Sequence, residues 1–299
     1  MPSLKIVGSG HIEVEANLSK CQSGDKNKLF AYGEIVSLKY THPFRFLAPE
    51  NCTGSPCRWI YPVTFGGGLV GGDKVTAQVK VGAGCAVVVS SQESTKVYHC
   101  QESGETSQSL HYSVGNESLL CVLSDPVVCY KGANFRQAQV VDLCAASNLV
   151  FLDWMLSGRT ALEEHWAFQR YFNKIEVQMK GEVVLRECCH LEDSPLQTKC
   201  KTLKDFQVCG TCIVLGDYVS FLSRSLQNKY GRKKDIGDKL DKGLIVSVSQ
   251  VTYTVEGETI NGCYLRFLAQ TMSQASTVIK DICEPLIPIL GADPFERKL

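Results

Sequence analysis

Two carboxylates and one run of glycines are the residues of this chain whose placement asks for a chemical reason. Asp153 stands inside an apolar stretch, Leu149 to Leu156, and Glu187 directly follows the apolar run Val183 to Leu185 and Arg186. An unpaired carboxylate in a dry core is costly, so each must meet an arginine, a hydrogen-bond network, a metal ion or water. For Asp153 two answers stand side by side: a structural ion pair with a residue such as Arg136 or Arg170, or a wet internal cavity.

The glycine run, Gly66 to Asp73, reads GGGLVGGD. Gly66, Gly68 and Gly71 satisfy the G-x-G-x-x-G spacing of dinucleotide-binding turns, but that fingerprint must open a helix whose N-terminus receives a pyrophosphate. Here Asp73 leads straight into the alternating strand pattern Val75, Ala77, Val79, Val81, and no Lys with Ser or Thr follows the glycines as a Walker loop requires. The remaining readings are a tight turn in which Asp73 bonds its own backbone amides, or a backbone that another segment approaches closely.

Other chemistry is less well supported. Cys209 and Cys212 form a single C-x-x-C, with Cys188, Cys189 and His190 upstream, which leaves a zinc-stabilised adaptor as an alternative although a second matched pair is missing. There is no G-x-S-x-G elbow, and no Ser or Cys near His99, His165 or His190 is marked as a nucleophile. A nucleotide-dependent oxidoreductase is a more distant alternative, and no enzyme chemistry is expected.

The elements that must position these residues read mainly as β-strands. Val75 to Val81 and Cys85 to Val89 predict a hairpin around Gly82 and Gly84. Leu110 to Val114 and Leu119 to Leu123 predict another around Gly115 and Asn116. Further pairs are Ile175 to Met179 with Val183 to Leu185, and Leu244 to Val255 with Tyr264 to Leu268. Three stretches carry helical spacing: Leu149, Leu152 and Leu156 (with Asp153 in the apolar stripe), then Val219, Leu222 and Leu226, then Val278, Ile279 and Ile282. The expectation is a mainly β fold, one β-rich domain over residues 1–299 with stacked antiparallel and mixed sheets and two or three helices. The charged segment 229–242 is expected to be a mobile loop.

Composition narrows the function classes. With 299 residues, 44% of them hydrophobic, the chain can bury a large core. Thirty-one basic residues balance 31 acidic ones, so no global field draws in nucleic acid or an anionic membrane. Mean hydropathy is −0.04 and no 18-residue apolar run occurs, which predicts neither a spanning helix nor a signal peptide at Met1 to Gly10. Fifteen cysteines, an odd number, fit a reducing, cytoplasmic setting better than a disulfide framework. The sequons at Asn17, Asn51 and Asn116 carry no glycosylation meaning there.

GGLVGGD at Gly67 to Asp73, taken with the order of motifs around it, resembles the urease accessory protein D family, called H in some bacteria. Phe44 to Glu50 precedes the glycines, and the string Thr95, Lys96, Val97, Tyr98 follows. Leu123 to Pro126, Gly132 to Asn134, Leu143 to Ala145, Gly158 with Arg159, and Glu187 to Leu191 fall in family order. The similarity spans roughly residues 35–290, and departs where Phe65 and an extra Gly66 stand in place of a Pro-Pro pair.

The resemblance implies a non-catalytic scaffold that binds the F-type accessory protein, through it the G-type GTPase that carries nickel, and on another surface apo-urease. It further implies a water-filled passage for nickel in transit, with no tightly bound cofactor. Carried over by position, Asp73, Thr95, Asp153 and Glu187 would line that passage, while Gly67, Gly68, Gly71, Gly72, Lys96, Tyr98 and Arg159 belong to the family's motif and interaction positions. With many apolar strands and free thiols, poor solubility without a partner is also expected.

Overall fold

The computed structural model describes residues 7–17, 29–50, 54–100, 104–144, 146–193, 203, 205–231, 243–296 and 298. Its architecture is mainly β, as the alternating patterns predict: two large sheets face each other, and two helices cover the outer face of one. The first sheet runs, in spatial order, β14 (Glu182–Glu192), β13 (Arg170–Met179), β11 (Asn134–Leu143), β8 (Thr106–Val114), β5 (Lys74–Val81), β1 (Val7–Ala16) and β2 (Gly33–Thr41). The five strands from β13 to β1 are parallel to their neighbours, and only the two edges, β14 and β2, are antiparallel.

The second sheet runs β16 (Leu244–Val255), β17 (Glu258–Ala269), β15 (Val208–Leu215), β12 (Asn148–Leu156), β9 (Leu119–Leu123), β6 (Ala86–Ser90), β4 (Arg58–Thr64) and β3 (Phe44–Leu47). Two short strands extend it beside β12: β10 (Val127–Cys129) and, against β10, β7 (Thr95–Val97).

The strands of the first sheet bury one face. In β5, Val75, Ala77, Val79 and Val81 point to the core while Lys74, Thr76, Gln78 and Lys80 are exposed, which is why the period of two is clean in its sequence. The second sheet is covered on both faces. Leu149, Phe151 and Met155 of β12 join the core between the sheets, whereas Val150, Leu152 and Trp154 join a second core under α1 (Ser220–Tyr230) and α2 (Met272–Cys283). A capping box starts α2: the Gln274 N–H donates to Thr271 Oγ1 at 3.3 Å and the Thr271 N–H to Gln274 Oε1 at 3.2 Å.

Two expectations are corrected here. Leu149 to Leu156 is not a helix but strand β12; burial on both faces makes every position apolar and erases the period that separates strand from helix. The helices expected around Leu222 and Ile279 are present as α1 and α2. Likewise β5 with β6, and β8 with β9, are not hairpins: each pair is split between the two sheets, and each strand pairs in parallel with strands from other turns of the chain. The pairs β13–β14 and β16–β17 are antiparallel hairpins as expected. Of the charged segment 229–242, Lys229 and Tyr230 end α1 and residues 232–242 lie outside the described residues. Among the described residues no helix is long and apolar enough to cross a membrane.

Candidate functional site

The glycine turn is pinned by the strand that passes over it. The Leu69 N–H donates to Lys96 O at 2.8 Å and the Tyr98 N–H to Leu69 O at 2.9 Å, so β7 and its extension lie directly on the glycines. A Cβ on Gly68 would sit 2.5 Å from Lys96 O and 2.8 Å from the Tyr98 ring; one on Gly71 would sit 2.7 Å from His99 O. These are close approaches of backbone to backbone that only glycine permits. Gly67 lies 4.0 Å from the Tyr98 hydroxyl by the same measure, and Gly72, at φ +92°, donates its N–H to Thr106 Oγ1 at 3.0 Å.

Asp73 closes the turn. Its Oδ2 accepts the Val70 N–H at 2.9 Å, and its own N–H donates to Val70 O at 3.0 Å. It is buried, and it lines neither of the cavities described below. Lys96, Tyr98 and Arg159 meet at one end of the turn: Tyr98 packs edge-on against Tyr130 at 5.1 Å, the Arg159 guanidinium lies 4.2 Å over the Tyr130 ring, and Lys96 Nζ pairs with Glu93 at 2.9 Å. Arg159 is itself held by two hydrogen bonds to Glu164.

Asp153 lies on the inter-sheet face of β12, where Leu149, Phe151 and Met155 would otherwise make a continuous apolar row. Arg136 and Arg170 are not its partners; Arg136 lies 5.0 Å from the Phe172 ring and Arg170 bonds Glu105 at 3.2 Å. The Asp153 carboxylate accepts instead from two side-chain amides on the opposite sheet, Gln139 Nε2 at 2.9 Å and Asn173 Nδ2 at 2.7 Å. Burial pushes its pKa up to about 6; the Gln139 bond opposes the shift, the negative charge of Glu187 adds to it, and the Asn173 bond again opposes it.

Two cavities share Asp153 as a wall. The first, about 330 Å³, extends from Gly67, Gly68 and Thr95 past Ser90 and Gln137 to Asp153. The second, about 400 Å³, extends from Asp153 past Asn173 to Glu187, Cys189 and Arg266. Among the described residues, Ser90 Oγ and Gln137 Oε1 in the first cavity and Asn173 Oδ1 in the second are buried oxygens without a hydrogen-bond partner. Such atoms call for solvent or a cation in the adjoining space.

Glu187 is buried on the inner face of β14 and accepts hydrogen bonds from the Arg266 guanidinium and the Tyr264 hydroxyl. That bond holds the Arg266 pKa above its ordinary value, and burial followed by the Glu187 bond raises that of Tyr264. Arg266 itself is half-exposed, so this ion pair stands at the outer end of the second cavity.

Three of the four positions carried over as acids or hydroxyls therefore meet the cavities: Thr95 the first, Glu187 the second, Asp153 both. The four cysteines considered for zinc do not assemble. Cys188 is exposed on the outer face of β14, Cys189 and Cys209 are half-buried between the sheets where both line the second cavity, and Cys212 is buried under the helices. Among the described residues no three His, Cys, Asp or Glu side chains converge as a metal-holding group. The amides Gln139 and Asn173 carry no signal in the sequence, being polar residues at the inward positions of alternating strands.

Comparison with known proteins gives concordant results. A family model described as UreD urease accessory protein matches residues 31–298. Urease accessory protein D of Arabidopsis thaliana is 29% identical over 273 residues, 85% of this chain and 92% of the relative. Urease accessory protein UreD of Anaeromyxobacter sp. (strain Fw109-5) is 32% identical over 267 residues, 88% of this chain and 84% of the relative. A protein of Schizosaccharomyces pombe named as an uncharacterized, ureD-like urease accessory protein is 30% identical over 212 residues, 67% and 72% of the two chains.

Proposed function

The chain belongs to the UreD family of urease accessory proteins, and we propose that it acts in urease maturation as a non-catalytic cytoplasmic scaffold through which nickel passes to apo-urease. In this reading one surface engages the F-type accessory protein and through it the G-type GTPase, and another docks on urease. The observation that carries it is the position of Asp153: one carboxylate between the sheets forms the common wall of two cavities that together reach from the glycine turn to Glu187.

The donor set suits a cation in transit. Asp153, Glu187, Thr95 and the unpartnered oxygens of Ser90, Gln137 and Asn173 are hard ligands spaced along the cavities, and among the described residues they form no closed cage. Spaced carboxylates lower the cost of a divalent ion inside a protein without holding it at one point. Asp153 supplies charge at the midpoint, and the amides of Gln139 and Asn173 keep its carboxylate oriented when the cavity is filled with water alone. Asp73 serves the turn, bonded as it is to Val70, and acts on the passage through the shape of the glycine segment.

The test separates conduction from assembly. Asp153→Ala and Glu187→Ala are each expected to co-purify with the F-type and G-type proteins and urease from the native source as the parent does. Each is expected to lower urease activation about tenfold, the order of one lost charge contact of about 1.4 kcal/mol. Loss of assembly and of folding together in both variants would overturn the passage, and recovery of no urease component with the parent chain would overturn the scaffold.

A further inference from the structure

Between the two sheets, a pair of sulfurs interrupts the run of oxygen donors. Cys189 projects inward from β14, two residues after Glu187 on the same face, and Cys209 projects inward from β15. Both are free thiols, both are partly buried, and both line the second cavity together with Asp153 and Glu187. Each thiol lies within the electrostatic reach of the other and of both carboxylates. The register places them: Cys189 pairs directly with Asn173 on β13, which bonds Asp153, and Cys209 pairs with Met155, two residues along β12 from Asp153, so both thiols flank the Asp153–Asn173 contact.

We propose that Cys189 and Cys209 form a binding site in the wall of the second cavity for a thiophilic divalent cation of the zinc and cadmium class. Two thiolates bound at about 2.3 Å to one tetrahedral ion stand about 3.8 Å apart, so binding draws both sulfurs to one point of the cavity wall they share. Binding releases both thiol protons to solvent, water completes the ion's shell, and the negative field of Asp153 and Glu187 offsets the charge brought inside. Soft sulfur holds such an ion more tightly than the surrounding carboxylates and amides do, so the site retains what the rest of the cavity would release. It stands on the geometry of the thiols and does not depend on nickel passing through the cavities.

The probe is Cd²⁺ alone, added to the full chain carrying Cys144→Ser and Cys188→Ser at the exposed thiols, and Cys21→Ser, Cys52→Ser and Cys200→Ser at positions outside the described residues. One equivalent is expected to produce the ultraviolet thiolate-to-cadmium charge-transfer band. Cys189→Ala or Cys209→Ala should weaken that binding at least about tenfold, the lower limit set by losing even an outer-shell partner. Cys212→Ala, whose thiol lies under the helices, should leave it unchanged. Absence of the band in the parent, or its persistence in the Cys189→Ala/Cys209→Ala double variant, overturns the proposal. Should the alanine variants fail to fold, alkylation of the parent decides: protection of both Cys189 and Cys209 by one equivalent of Cd²⁺ supports the site, and unchanged labelling of either overturns it.

Discussion

At the scale of single residues, the fold stability of this protein should report on the protonation of Asp153. Its pKa is about 6 in the folded chain against an ordinary 3.8, so between those values the folded state holds a proton that the unfolded state has released. Stability therefore falls as pH rises from about 4 to about 6, and the full penalty, up to about 3 kcal/mol, is present above pH 6. Asp153→Asn has no proton to lose. The difference in unfolding free energy between parent and variant, taken from denaturant titrations at pH 4.5 and pH 7, should shift in favour of the variant at the higher pH; a pH-independent difference would contradict this. The conflict between charge and apolar surroundings at Asp153 and Glu187 is visible from sequence alone. Their partners are not. Gln139 and Asn173 lie 14 and 20 residues away and on the other sheet, and only the stacking of the sheets brings them to Asp153.

At the scale of elements, the glycine turn and β7 act as one unit. Gly68→Ala puts a methyl group against Lys96 O, and either the turn or β7 must shift. The expected cost is about 1–3 kcal/mol, measured as a lowered denaturation midpoint. Gly66→Ala, which meets no neighbour within 4 Å but keeps φ at +96°, should cost less, about 1 kcal/mol. The need for a segment lying on the glycines could be inferred from their number, and β7 supplies it. The strand nature of β12 was not legible, because a strand apolar on both sides has the composition of a buried helix. The false hairpins failed for another reason: short glycine links read the same whether the chain folds back beside itself or crosses to a facing sheet. Where a hairpin stays within one sheet and includes an edge strand, as in β13–β14 and β16–β17, the pattern was sufficient.

At the scale of the whole molecule, the ten-stranded sheet is the shared wall of two cores. Phe151 faces the first, packed edge-on to Tyr112 at 5.9 Å and essentially without exposure. Phe151→Ala should cost about 3–5 kcal/mol, and calorimetry should show the whole chain melting at lower temperature. A loss below about 1 kcal/mol would mean that the sheets are not packed through this residue. The same layering leaves room for chemistry at only a few points. Most facing positions between the sheets are Val, Ile, Leu, Phe or Tyr, and space opens where polar residues replace them.

The stepping of strands between the sheets also bears on how the chain is made. Strand β5 must wait for β8, β6 for β9, and β11 for β13, so each ladder gains its next rung only after a length of chain assigned to the opposite layer has emerged. Neither layer is finished early: β14 borders the first after all its other strands have been made, and β16 and β17, the last strands among the described residues, border the second. A ribosome thus carries a long, sticky, half-zipped polypeptide for much of its work, with pairings that close slowly because their ends are far apart along the chain. Production of this protein should be limited by what shields the nascent strands during that interval, and slower elongation at lower temperature, or a chaperone supplied alongside, should raise the yield of chain that reaches its final form.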